Sequence, residues 1–242
     1  GPGAEASSAG KGGKPGKRGG GKGARKGERG PAPKRRAAGP RMCFATTGLH
    51  LSEQQKRAIQ DLGATVVEDW TPEITHVVAD TFRRTTKMMC AICVGAHVVT
   101  PAYIDACGAA GQQVDEAAFS LRDSVCEAGF ARKRGIKRGY SLEAALQRAR
   151  SQGPLLQGIS VYCFPSVADT RELPMLVAAA GGKWLSKFPA DPDSDGVLLL
   201  AERTVSGNEE RQRRKAHDVY DVELLREAAC TQDIRRSAYQ LH

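Results

Sequence analysis

No apolar run in this 242-residue chain approaches the ~20 residues that span a bilayer, so no segment is a candidate membrane helix. No secretory signal is visible either, and the chain opens Gly1-Pro2-Gly3 without a Met, which we read as the start of a fragment. Among the seven cysteines only Cys90 and Cys93 form a CxxC, and no second pair or neighbouring His completes four ligands, which argues against structural zinc. The rest are scattered, mostly in apolar runs, as suits buried thiols in a reducing compartment. The five histidines show no pattern pairing one with a nucleophile and an acid, so catalysis has no sequence signal. We therefore expect no enzyme, no metal and no cofactor.

Acidic residues are nearly missing from the first 41 positions. That segment holds 12 of the 36 Lys and Arg and 2 of the 27 Asp and Glu, which leaves 24 basic and 25 acidic residues for the other 201. The basic character of the chain belongs to this tail. It also lacks any large apolar residue before Met42, so burial cannot offset its ordering entropy and we expect disorder. Gly16–Gly23, GKRGGGKG, imitates a phosphate loop, but its last position is Gly and neither strand nor helix flanks it. Lys34, Arg35 and Arg36 are the tail's candidates for an import signal or for weak, sequence-independent nucleic-acid contact. A plain solubilising linker fits as well.

From Met42 the pattern is β-α-β-β-α-β-α in about 70 residues. Strands are expected at Met42–Ala45, Ala64–Val67, His76–Val78 and Val98-Val99. Helices are expected over Glu53–Leu62, capped by Ser52, over Lys87–Val94, and after Pro101. Residues 109–139 show little periodicity and carry the basic cluster Arg132–Arg138, and a linker helix follows at Leu142–Arg150. The pattern then restarts: strand Ile159–Phe164, helix Arg171–Ala180, strands Lys183–Leu185 and Val197–Ala201, helix Asn208–Ala216, strand Asp218–Tyr220, helix Asp221–Cys230. The helix-stopping glycines Gly63 and Gly181 share an offset of 118 with the strand ends at Thr47 and Pro165, which points to two copies of one unit.

The stretch His76–Gly95, HVVADTFRRTTKMMCAICVG, organises the first copy. It brings Arg83, Arg84 and Lys87 to the start of an apolar helix, where the dipole already repels cations. A bound anion would relieve that conflict; a solvated basic turn is the other reading. The run Met88-Met89-Cys90 reads as core, and Arg211, Arg213, Arg214 and Lys215 as a solvated helix face.

At this point the chain resembles a known family, the BRCT repeats, arranged as a tandem pair. The Leu62-Gly63-Ala64 junction, the Thr75-His76-Val77-Val78 strand and the Thr47-Gly48 pair with a distal Lys87 carry the resemblance. RRTTKMMCAI looks closest to the BRCT pair of the mediators of the DNA-damage checkpoint. The resemblance implies two α/β units, each a four-stranded parallel sheet flanked by helices, packed head to tail. We expect a tail at 1–41, units at 42–112 and 156–242, and a linker with a short helix at 113–155. It further implies a phosphate site at Thr47 (Thr46 adjacent), Gly48 and Lys87. Arg84, or Arg83, would reach the peptide residue three positions on or a chain-end carboxylate, with Arg203 contributing from the second unit. Pro165-Ser166 stands where the second unit would need its Ser/Thr-Gly pair, so only the first unit is expected to bind phosphate. Tyr103 and Leu224 replace the usual buried Trp. The implied function is a monomeric, nuclear phosphopeptide-binding adaptor of the DNA-damage response, with a phosphorylated damage-marking histone tail as the leading partner. The alternatives are nucleic-acid or chromatin binding through the tail and phosphate-independent docking.

Overall fold

The computed structural model describes residues 41–241 except Asp169 and 204–207. The tail, with Lys34, Arg35 and Arg36, lies outside the described residues. The first sheet is built from β1 (Cys43–Thr46), β2 (Thr65–Val67), β3 (His76–Val78) and β4 (His97–Val99), all parallel in the order β2-β1-β3-β4. The connecting helices are α1 (Glu53–Asp61) and α2 (Thr86–Cys93), with α3 (Ala102–Ala110) after β4. Local chemistry sets their starts. Ser52 and Gln55 close a reciprocal capping box on α1, and the Thr85 hydroxyl accepts the Met88 N–H at 3.2 Å to cap α2. Gly63, at φ +69°, ends the first turn out of α1 in the left-handed region that glycine adopts without penalty.

The second sheet comprises β5 (Ser160–Cys163), β6 (Lys183–Leu185), β7 (Val197–Ala201) and β8 (Val219–Asp221), parallel, with helices α6 (Leu173–Ala179), α7 (Asn208–Arg213) and α8 (Glu223–Thr231). It departs from the expected four strands. β9 (Gln240–Leu241) adds antiparallel to β8, giving β6-β5-β7-β8-β9. The chain end thereby pairs an edge that would otherwise present unsatisfied backbone groups.

Two helices join the sheets: α4 (Ser124–Lys133) and α5 (Leu142–Gln152). The first corrects the expectation of an irregular connection. Its sequence, SVCEAGFARK, has a central Gly and little amphipathic contrast, yet Asp123 caps it and at the same time accepts the Phe82 N–H at 3.0 Å. Phe130 of α4 then packs edge-on to Phe82 and Tyr140.

α2 is buried through Met88–Cys93 because it is covered on all sides: β3 and β4 on one, α5, α6 and α8 on the other. One continuous apolar cluster therefore runs from the first sheet through α2 into the second unit, with Ile92, Leu176, Leu225 and Ala229 among its members. The Gln232 amide and the Cys93 thiol meet at 3.5 Å across this joint. Trp70 and Trp184 are half-buried against the same cluster, as expected for packing residues.

Tyr103 and Leu224, in place of the usual Trp, are both fully buried. The Tyr103 hydroxyl lies 3.2 Å from Glu116 Oε1, and its ring stacks on His76 with centroids 5.3 Å apart. His76 also stacks on His97 at 5.0 Å, and its ring nitrogens face Thr75 Oγ1 at 2.8 Å and Glu116 Oε1 at 3.4 Å. Burial, aided by the neighbouring His97, pushes the His76 pKa down to about 4 despite the opposing Glu116 carboxylate. Burial alone would raise Glu116, but its backbone bond, Gln113 and the two histidines bring it down to about 2.

Candidate functional site

The end of β1 and the start of α2 are tied together. The Thr47 N–H donates to Val78 O at 3.1 Å, and the Thr47 hydroxyl lies 2.7 Å from that of Thr85, the α2 cap. Gly48 follows at φ +76°. Its carbonyl accepts from Arg83 Nη1 at 3.0 Å, while its own N–H has no protein acceptor among the described residues. The left-handed conformation favours glycine here; a Cβ would also meet the Arg83 guanidinium, the movable end of a half-exposed side chain.

Lys87, the second residue of α2, donates from Nζ to the Glu68 carbonyl at 2.8 Å. Thr47, Gly48, Arg84 and Lys87 line one open cleft of about 420 Å³, whose far wall, Glu172 and Met175, comes from the second unit. A second cleft of about 340 Å³ adjoins it, sharing Arg84, Thr86 and Glu172 and adding Leu173, Glu223 and Arg226. Arg84 stands at the junction of the two. One of its terminal nitrogens donates to Glu223 at 2.9 Å, its guanidinium lies 5.7 Å from the Phe130 ring centroid, and its buried Nε has no acceptor. Glu223 also pairs with Arg134 at 2.5 Å and Arg226 at 3.1 Å. Burial would raise the Glu223 carboxyl, but these guanidiniums outweigh it and hold the pKa below the usual range.

The cations at the start of α2 are thus already partnered by protein groups. Arg83 is bound to Gly48 O and lies 3.7 Å from Asp80, Arg84 is bound to Glu223, and Lys87 is bound to a neutral carbonyl. Arg203 is not among the residues lining either cleft; its guanidinium pairs with Asp221 at 3.0 Å and is largely exposed. Arg134, grouped by sequence with the basic cluster Arg132–Arg138, is mostly buried at the joint. Arg213 is no solvated face: it packs over Phe164 and bonds Glu209.

The correspondence between the units shifts by one residue. The Phe164 N–H donates to Leu200 O at 2.8 Å as the Thr47 N–H does to Val78 O, so Phe164-Pro165, not Pro165-Ser166, occupies the place of Thr47-Gly48. The sheet register explains the slip: Cys43 pairs with Thr65 and Ser160 with Lys183, so the first strands are offset by 117 residues and the second by 118. An apolar ring and a proline nitrogen offer an anion no donor.

Sequence reasoning missed Thr85, Glu172 and Glu223. Thr85 was legible as a cap, sitting three residues before a buried Met. Glu223 was not, because it meets Arg84 across 139 residues of chain.

Comparisons with known proteins agree with this architecture. The family described as "Regulator of Ty1 transposition protein 107 BRCT domain" matches residues 27–121. PAX-interacting protein 1 of Mus musculus is 32% identical over 201 residues, which is 78% of this chain and 18% of that protein. Mediator of DNA damage checkpoint protein 1 of Homo sapiens is 27% identical over 161 residues, 66% of this chain and 7% of that protein. The chain thus spans less than a fifth of the length of these relatives. Among solved structures, the S. pombe Brc1 BRCT5-BRCT6 domains superpose with a TM-score of 0.64 at 22% identity, covering 84% of this chain and 97% of that one. A complex of Rtt107p with a phosphorylated histone gives a TM-score of 0.53 at 10% identity, covering 83% and 92%.

Proposed function

The chain carries a tandem pair of BRCT units, and on that premise we propose that it is a phosphopeptide-binding adaptor of the DNA-damage response, working in the nucleus. We place the units at 42–112 and 156–242, joined by 113–155. The phosphoserine seats on Thr47, Gly48 and Lys87, with Thr46 as the neighbouring hydroxyl, and Arg84 receives the carboxylate of the residue three positions on or of the chain end.

The observation that carries this reading is the convergence of a hydroxyl, an unengaged N–H and an ammonium on one open cleft. A phosphoserine brings close to two negative charges and three acceptor oxygens. Lys87 gives up a bond to a neutral carbonyl for one to a dianion, and charge-assisted bonds of this kind contribute about 1.5–3 kcal/mol each. Arg84 is held by Glu223 through one terminal nitrogen, and its other terminal nitrogen has no acceptor among the described residues, so a peptide carboxylate entering the second cleft has a donor to take. Phe164-Pro165 leaves the second unit to supply the wall of the groove and not a second phosphate site.

The Rtt107p structure holds a phosphorylated histone, and by likeness of fold we propose a damage-marking phosphorylated histone tail as partner. The test is a binding titration of residues 42–242 with phosphoserine peptides ending three residues after the phosphate. Each is made as free acid and as amide, beside its unphosphorylated form. Phosphate-dependent binding that weakens about tenfold or more on amidation is expected. Equal binding of phosphorylated and unphosphorylated forms would refute the proposal.

A further inference from the structure

The phosphate cleft is not uniformly basic. Its lining also includes Asp69 and Trp70 from the β2–β3 loop, next to the Glu68 carbonyl that holds Lys87, and Glu172 and Met175 from the second unit. Neither Asp69 nor Glu172 has an ion-pair partner among the described residues. Glu172 accepts only the Thr86 hydroxyl, and both carboxylates are exposed. Arg84 is already paired with Glu223, so Lys87, held only by the Glu68 carbonyl, is the one cation of this cleft's lining without a carboxylate partner among the described residues. A dianion entering this space gains one ammonium and meets two unneutralised carboxylates, and such like-charge juxtaposition opposes binding.

That conflict disappears if the ligand carries its own cation. The walls suit one: Trp70 and Met175 offer apolar surface for an aliphatic stem, the indole face attracts a cation, and the two carboxylates receive its head. We propose that the cleft selects phosphopeptides with a Lys or Arg within three residues of the phosphoserine, its charged head seated among Asp69, Glu172 and Trp70. Three extended residues reach about 10 Å, the scale of a 420 Å³ cleft. Peptides with acidic flanks are rejected by the same two carboxylates. This inference rests on the phosphate reading and names the peptide class that the site takes.

The test walks a single lysine through positions −3 to +2 of a phosphoserine peptide otherwise free of basic residues. Affinities are measured with the wild-type chain and with the Asp69→Asn, Glu172→Gln double variant. A norleucine series controls for the stem. At one position or more, lysine should bind about tenfold tighter than the parent and than norleucine, a sum of modest ion-pair and cation–π contributions. The advantage should fall below about twofold in the double variant, whose affinity for the parent peptide should rise. A flat lysine series, norleucine equal to lysine, or an advantage that survives the double variant would overturn the inference while leaving phosphate dependence intact. Loss of phosphate dependence itself in the wild-type chain would overturn both.

Discussion

The buried His76 makes the stability of the first unit sensitive to mild acid. Its folded pKa of about 4 against an ordinary 6.5 means that the unfolded chain takes up a proton which the folded chain refuses. The stabilisation is therefore complete above pH 6.5 and declines as the pH falls toward 4. Linkage gives a loss of about 2 kcal/mol between pH 7 and pH 5 from this residue alone. In a folded part of about 200 residues that corresponds to roughly 4–8 °C in melting temperature. His97, also lowered by burial, adds in the same direction. Carboxylates held low, such as Glu116 at about 2, lose their stabilisation only below about pH 4.5, so this window isolates the histidines. Urea unfolding of the wild-type chain and of His76→Phe at pH 7, 6 and 5 reads the effect. The variant keeps the aromatic stack with Tyr103 and lacks the titrating ring, so its slope with pH should be shallower by most of that amount, whatever its absolute stability. Identical slopes within about 0.5 kcal/mol, the error of such extrapolations, would show that His76 titrates normally and that its burial has been misjudged.

Other consequences are as direct. Glu223→Gln leaves three guanidiniums, of Arg84, Arg134 and Arg226, without their shared carboxylate; a loss of about 2 kcal/mol in unfolding free energy is expected, and an unchanged melting temperature would contradict it. Gly48→Ala puts a Cβ on a left-handed residue and displaces the movable Arg83 guanidinium, and should cost about 1–2 kcal/mol of stability, mostly from the backbone. Adding Arg83→Ala should recover only part of that cost, because the backbone strain remains. Arg203→Ala should leave phosphopeptide affinity within about twofold, since the side chain pairs with Asp221 outside both clefts; a larger loss in the titration would restore Arg203 to the site. Thr47→Val removes the hydroxyl that meets Thr85 and should weaken phosphopeptide binding about tenfold.

What the sequence revealed was local. The strand His76–Val78, the apolar run of α2 and the Thr47-Gly48 turn each carry their signal within a few residues, and the repeat of the pattern located the second sheet. Legibility failed where structure depends on partners distant in the chain. α4 has no amphipathic stripe and is specified by Asp123 bonding back to Phe82, 41 residues earlier. β9 is two residues long and exists because β8 offers it an edge. The same holds within the site. Thr47, Gly48, Lys87 and Arg84 could be named from short motifs. Glu172, Met175 and Glu223 reach the cleft only through the docking of α6 and α8 on α2, which no local pattern encodes. The one-residue slip between the repeats has a similar cause, because one insertion between β5 and β6 is invisible until the strands are paired.

The Gly48 backbone N–H tests the central claim most directly, because it donates to nothing in the protein among the described residues and is assigned here to a phosphate oxygen. Its amide resonance in residues 42–242 would be followed by NMR on addition of a phosphoserine peptide, of the unphosphorylated peptide, and of the phosphopeptide with Lys87→Met. A large downfield shift with the phosphopeptide alone, lost in the Lys87 variant, is the predicted result. A Gly48 signal that stays in place while the phosphopeptide binds, or that moves equally with the unphosphorylated peptide, would contradict the account.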